Sequence, residues 1–428
     1  MLTEKEKFDG LTLLGVELNQ IQDLDILMER VLTRARHFAN ADAGSIYIMH
    51  VDYLHFTYTQ NDTLQQRMSE GEKLIYSIFR IPIDKYSIAG YAALTGKALN
   101  IEDVYRIDST KPYQFSKQFD EASDYRTCSV LTIPLKGVNN DLLGILQIIN
   151  ARDSENHVVA FSENDEQVMN HFGGIASVAL ERAKMTRSIF LRMIRMAELR
   201  DPNETSAHVN RVAGYAVEIY EKWAQRRNIE GGIIDKNRDI LRMAAMLHDV
   251  GKVAISDLIL RKPARLDIDE FEVIKQHTVL GAKLFSDKES DFDKAAWQVT
   301  LNHHERWDGT GYPGHIDHVS GKPLPGYALA NGSAKGKKQE EIPIFGRIVA
   351  LADVYDALAS KRAYKTAWDD SAVLETIQKN SGKHFDPELV EIFFSRLKII
   401  KSIQKRYEDM EKKSLDSDAY GVFSLGNS

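Results

Sequence analysis

Only one cysteine, Cys128, occurs among the 428 residues. No disulfide can form within the chain, no thiolate cluster can hold a metal, and a reducing compartment suits such a protein. Proline is scarce, with 10 residues in all, and no Pro- or Ser-rich stretch marks a flexible linker. No uninterrupted apolar run approaches the ~18 residues of a membrane span. The charged opening stretch, Met1 to Gly10, lacks the apolar core of a signal peptide. Together these absences predict a cytoplasmic protein with no membrane partner. Positive charge is not in excess either. The 55 Lys and Arg against 62 Asp and Glu leave a net charge of −7, which argues against a nucleic-acid polymer as the main partner. An anionic substrate must then be held by local cations or metal ions.

What is present is the composition of a globular protein, 43% hydrophobic and 27% charged, at a length that predicts two domains. Leu14, Leu18, Ile21, Leu24, Leu27 and Val31 recur at helical spacing. Two strand-like runs, Gly44–Met49 and Tyr53–Tyr58, read as a hairpin, and Ser129–Leu135 with Leu143–Asn150 reads as another. Gly90–Leu94, just before Thr95-Gly96, reads as a further strand-like run. From Ser162, a candidate N-cap, a helical pattern runs through Val168, Ile175, Val178, Met185, Ile189, Met193 and Met196. This predicts a connecting helix over 168–200 whose apolar stripe could pair with a second copy. Beyond it the pattern is largely helical to about residue 400. A charged tail at 401–428 follows, first helical and then polar.

The chemistry concentrates between Glu204 and Asp353. Glu204, His208, His248, Asp249, His277, His303, His304 and Asp353 all offer nitrogen or oxygen to a metal. Eight donors exceed what one ion takes once a water position is left open, so the pattern predicts a cluster of two or three ions. Glu204 and His208, four apart on a helix, share a face. Neighbours such as His248-Asp249 diverge by about 100°. An aspartate bridging two ions, with each histidine binding one, resolves that geometry. Two ions about 3.5–4 Å apart would share a water and lower its pKa toward neutrality for attack on a phosphate ester. Lys252, three residues after Asp249, is the candidate cation for the charge that then develops.

Two resemblances follow from these residues. Residues 11–184, with Ala43-Gly44-Ser45-Ile46-Tyr47-Ile48, Gln60-Asn61-Asp62-Thr63 and Phe119-Asp120-Glu121, resemble a GAF domain. That implies an α+β sensor, an antiparallel sheet with helices, holding a ligand that the sequence does not name. Residues 187–400, with His248-Asp249 and the phrase from His303-His304 to Gly311-Tyr312-Pro313, resemble the HD-GYP family of HD phosphohydrolases. That implies an all-α domain that hydrolyses cyclic di-GMP to linear pGpG or on to GMP. It carries over His208, His248, Asp249, His277, His303, His304 and Asp353 as metal ligands, and Glu204 as the extra ligand of members with three metals. It also implies Arg362 and Lys365 as contacts to the second phosphate or a guanine, and iron or manganese as the metal; the donor set admits zinc or cobalt too, and Lys252 and Tyr312 read from their positions as further substrate contacts. The implied partners are cyclic di-GMP, a second copy of the chain and proteins such as diguanylate cyclases. The alternatives are a cyclic di-GMP receptor that does not hydrolyse, and a hydrolase of cyclic GMP-AMP or another nucleotide.

The stretch from Gly314 to Glu341 is longer than the family's usual connection. It reads as a flexible surface insertion. His315 and His318 read as solvated, and His384 as a packing or capping residue.

Overall fold

The computed structural model describes residues 4–50, 52–68, 80–198, 205–360 and 369–407. The chain divides into two compact units, Met1–Arg187 and Ser188–Ser428.

In the first unit, alternation of side chains builds an antiparallel sheet. Its strands are β1 (Ala41–His50), β2 (Tyr53–Asn61), β3 (Arg80–Pro82), β4 (Leu99–Ile101), β5 (Val130–Lys136), β6 (Leu142–Arg152) and β7 (Val158–Val159). The order is β3-β2-β1-β6-β5-β4, with β7 paired to β6. Both predicted hairpins form, with Tyr47 opposite Phe56 and Ile133 opposite Leu146. Ile46, Leu131, Ile133, Leu146 and Ile148 point to one face. There they meet Leu27, Val31 and Leu32 of helix Leu24–Phe38 and Phe172, Ala176 and Leu180 of the long helix Glu163–Glu198. Each large side chain buried this way contributes roughly 1.5–3 kcal/mol. Asp23 caps the first of these helices, accepting from Asp25 N and Ile26 N. Ser162 caps the second in a reciprocal pair with Asp165.

Gly90–Leu94 departs from its strand-like reading. It lies inside helix Ile88–Thr95, started by Ser87, whose side chain accepts from Gly90 N, and stopped by Gly96 in the left-handed region at φ 60°. A five-residue apolar run fits either element, and the caps on both sides decide it.

The second unit is helical. Helices Ser206–Arg226, Gly231–Met246, Asp291–Asn302 and Ile344–Ala359 share a core that includes Val212, Tyr215, Ile219, Leu241, Ala244, Val299, Ile348 and Leu351. Alanines at 213, 244, 245, 296 and 352, all fully buried, let the helices approach closely. The ends of these helices, the turns beside them and the body of helix Ile344–Ala359 carry the histidines and aspartates.

The segment from Gly314 to Glu341 is not the flexible insertion its composition suggests. Bridges at Ile316–Pro323 and Ala328–Ala334 give it two folded turns. The buried carboxylate of Glu305 closes its base, accepting from Gly314 N at 2.6 Å and Lys337 N at 3.2 Å. His315 stacks on Tyr327 and His318 lies edge-on to Trp297, so neither ring is simply solvated. His384 is packed, its ring stacked on Phe385 and its carbonyl accepting from Trp307 N.

Among the described residues no helix is long and apolar enough to cross a membrane. Of the residues expected at the site, Glu204, Arg362 and Lys365 lie outside the described residues.

Candidate metal centre

Five chain segments bring the donors together. Thr205 caps helix Ser206–Arg226 by accepting from His208 N, which fixes His208 in its first turn. His248 and Asp249 follow helix Gly231–Met246, at the entry to the tight turn Val250–Ala254. His277 opens helix His277–Lys283, and His303-His304 close helix Asp291–Asn302. Asp353 lies within helix Ile344–Ala359. Gly251 is required where the turn meets the His277 helix. A Cβ there would stand 1.9 Å from the His277 carbonyl oxygen and 2.5 Å from Gly281 N.

The donors fall into two groups. Asp249, His277, His303 and His304 offer atoms that all lie within 4.8 Å of one another, as do those of His208, His248 and Asp353. Asp249 touches both groups. Its Oδ1 is 3.0 Å from His277 Nε2 and 3.4 Å from His303 Nε2, and its Oδ2 is 3.4 Å from His248 Nε2. Asp353 Oδ1 is 3.5 Å from His208 Nε2 and 3.9 Å from His248 Nε2. His208, His248, His277 and His303 are all almost completely buried.

Proton positions show why this set fits metal ions. The Nδ1 atoms of His248 and His277 face the carbonyls of Ala245 and Ile274 at 2.9 and 2.7 Å. His303 Nδ1 faces the carbonyls of Val299 and Thr300, both at 3.1 Å. A carbonyl only accepts, so each Nδ1 carries a hydrogen, and in its neutral form each ring turns an Nε2 lone pair inward. His277 Nε2 and His303 Nε2 thus face each other at 3.4 Å beside a carboxylate. Such a cluster of lone pairs is repulsive until a cation sits among them. Nitrogen and carboxylate donors without thiolate suit a borderline or hard divalent ion.

His208 is oriented differently. Its Nδ1 donates to Asp356 Oδ2 at 2.8 Å, giving the carboxylate–histidine pair that directs a ligand nitrogen toward a metal. Asp356 also accepts twice from Arg211, at 2.7 and 3.0 Å, and from the Tyr215 hydroxyl at 3.2 Å. Burial pushes the Asp356 carboxyl upward, but the His208 and Arg211 hydrogen bonds outweigh it and hold its pKa at about 2. Sequence reading assigned no role to Asp356. The available signal was spacing: Asp353 and Asp356 stand three apart on one helix, as His208 and Arg211 do on another.

Lys252 Nζ lies 2.6 Å from Asp249 Oδ2. Burial alone would raise the Asp249 carboxyl, but the Lys252 ammonium beside it holds it well below the carboxylate range. Burial holds His304 well below the ordinary histidine range. Tyr312 stacks on the His304 ring, with centroids 4.9 Å apart, and so stands at the edge of the cluster.

Residues 23–180 match the family model of the GAF domain, and residues 205–358 that of the HD domain. A second HD domain model matches residues 330–389. The chain carries a GAF domain followed by an HD domain. A 3'3'-cGAMP-specific phosphodiesterase 2 of Vibrio cholerae is 36% identical over 189 residues, 44% of this chain and 31% of the relative. A cyclic di-GMP phosphodiesterase of the same organism is 36% identical over 232 residues, 53% of this chain and 43% of the relative. A cyclic di-GMP phosphodiesterase of Thermotoga maritima is 36% identical over 214 residues, half of each chain. The alignments thus span between about a third and a half of the length of these relatives.

Proposed function

We propose that this protein is a metal-dependent phosphodiesterase that hydrolyses cyclic di-GMP to linear pGpG or GMP, under control of its GAF domain. The observation that carries the reading is the convergence of five histidine rings and two aspartates on two adjoining positions, next to a lysine. The names of the relatives give the substrate class. Cyclic GMP-AMP is the second reading, favoured by the name of one relative.

His208, His248 and Asp353 would hold one ion, and His277, His303 and His304 another, with Asp249 bridging; Glu204 would serve a third. Iron or manganese suits the donor set. When bound, such ions supply Lewis acidity toward phosphoryl oxygens and toward water. The chain's own residues do the rest. Lys252 offsets charge on the phosphate oxygens as it builds. Tyr312 lines the mouth through its stack on His304. Arg362 and Lys365 would meet the second phosphate or a guanine.

The GAF domain's sheet face turned away from the two core helices carries a polar line that would receive a small ligand. Ser45 donates to Thr59, Tyr47 to Gln147, and Gln147 to Thr132. A second copy of the chain would pair along helix Glu163–Glu198, where Val178, Met185, Ile189 and Met196 are all about half exposed or more. A cytoplasmic location and partners such as diguanylate cyclases complete the reading. Replacing Met185 and Ile189 with Glu should then convert a dimer to a monomer in sedimentation; an unchanged mass refutes pairing at this stripe.

The functional test is product formation from cyclic di-GMP by protein prepared without oxygen and supplied with iron or manganese. Linear dinucleotide or GMP is expected. Metal-loaded protein that binds cyclic di-GMP without cutting it would instead be a receptor.

A further inference from the structure

We infer that Phe271 and Lys275 form, with Tyr312, a shelf that takes one purine of the substrate and selects guanine. The inference rests on the cyclic dinucleotide reading above and names two residues that reading leaves unassigned.

Helix Ile268–Lys275 starts with a reciprocal cap between Asp267 and Glu270. It places Ile268, Phe271 and Lys275 at spacings of three and four, on one side of the helix. That side meets the metal centre's edge. The Phe271 ring stands edge-on to Tyr312, with centroids 6.4 Å apart, and Tyr312 in turn stacks on His304. Lys275 Nζ lies 5.0 Å from the Phe271 centroid and 5.5 Å from the Tyr312 centroid, so its ammonium is held against both rings. An ion pair with Glu272 steadies the same ammonium.

The exposure of this group is unusual for its chemistry. Phe271 is 45% exposed and Ile268, one turn away, 82% exposed, although both are large apolar side chains on a capped helix. Such a surface contributes little to the core, and it is continuous through Tyr312 with the donor cluster. A phosphate diester held at the cluster carries its bases outward along this surface. An exposed ring beside an oriented cation fits the face of a purine. The ring stacks on the base, and the ammonium donates to acceptors at the base edge. Guanine presents two adjacent acceptors, O6 and N7, whereas adenine presents N7 beside an amino donor. A lysine at this edge therefore favours guanine.

The experiment compares wild type, Phe271→Ala and Lys275→Met on three diesters: cyclic di-GMP, cyclic di-AMP and bis(p-nitrophenyl) phosphate, which has no purine. Phe271→Ala should raise KM for both cyclic dinucleotides by roughly tenfold, the scale of one stacked base. Lys275→Met should cost roughly tenfold in kcat/KM on cyclic di-GMP and little on cyclic di-AMP, narrowing the preference for guanine. Turnover of bis(p-nitrophenyl) phosphate should fall less than that of cyclic di-GMP in both variants, as its smaller rings have no purine edge and these residues do not bind the reacting phosphate. Equal losses on all three substrates, or no loss on cyclic di-GMP, would overturn the shelf. If wild type cuts none of them, the hydrolase reading fails by itself. The shelf then stands or falls on the affinity for cyclic di-GMP, measured by calorimetry. Weaker binding by both variants supports it, and equal or absent binding across all three proteins overturns it.

Discussion

Asp42 in the GAF domain and Asp249 in the HD domain are both buried aspartates, 3% and 9% exposed, yet their surroundings differ in kind. Asp42 accepts from three groups that bring their own hydrogens: the Arg152 guanidinium, the Tyr125 hydroxyl at 2.8 Å and the Thr63 hydroxyl at 2.9 Å. Asn150 extends the network by donating to Tyr125. Every partner supplies a proton where the carboxylate wants one, and the result is a cross-link between strands. Asp249 is ringed by histidine nitrogens whose hydrogens point the other way, into backbone carbonyls. Lys252 donates to it, but the histidines confront it with lone pairs. Burial does not separate a structural aspartate from a metal ligand. The direction of the surrounding protons does.

The comparison can be broken most severely at Asp249. Asp249→Ala should abolish turnover of cyclic di-GMP and deplete metal, read as metal per chain by elemental analysis. A fully active, metal-replete variant would remove Asp249 from the centre. A smaller effect is expected at Asp356, which touches His208 and not the ions. Asp356→Asn should weaken metal affinity by about 10–100-fold in a competition titration, the usual scale for a group that orients a ligand. Unaltered affinity would make Asp356 a purely structural partner of Arg211. The smallest effect lies on the GAF side. Tyr125→Phe removes one donor from Asp42 and should lower stability by about 1–3 kcal/mol in urea, with metal content unchanged. Loss of metal in that variant would erase the distinction between the two aspartates.

Much of this arrangement was legible in the sequence. His208, His248, His277 and His303-His304 stood out because histidines are few and fall at helix ends between apolar runs. The two hairpins were legible from alternation. What escaped depends on capping residues or on partners far along the chain. Helix Ile88–Thr95 is decided by Ser87 and Gly96 and not by the apolar run between them. The segment from Gly314 to Glu341 has the composition of a loose loop. Its order comes from Glu305, which lies 9 residues before Gly314 and 32 before Lys337. Asp356 was hidden because its three-residue spacing from Asp353 gains meaning only once His208 and Arg211 are seen to pack against it.

The Glu305 clamp has a consequence for how this chain can change. One carboxylate grips both ends of the segment, and the residue before it, His304, belongs to the metal cluster. The stretch between Gly314 and Lys337 is closed at its base by that carboxylate and rests on the rest of the domain through His318 against Trp297, like a cassette fitted into a socket. The entropy of closing such a loop grows only slowly with its length. Residues can therefore be added or exchanged inside the cassette while the ligand pair keeps its geometry.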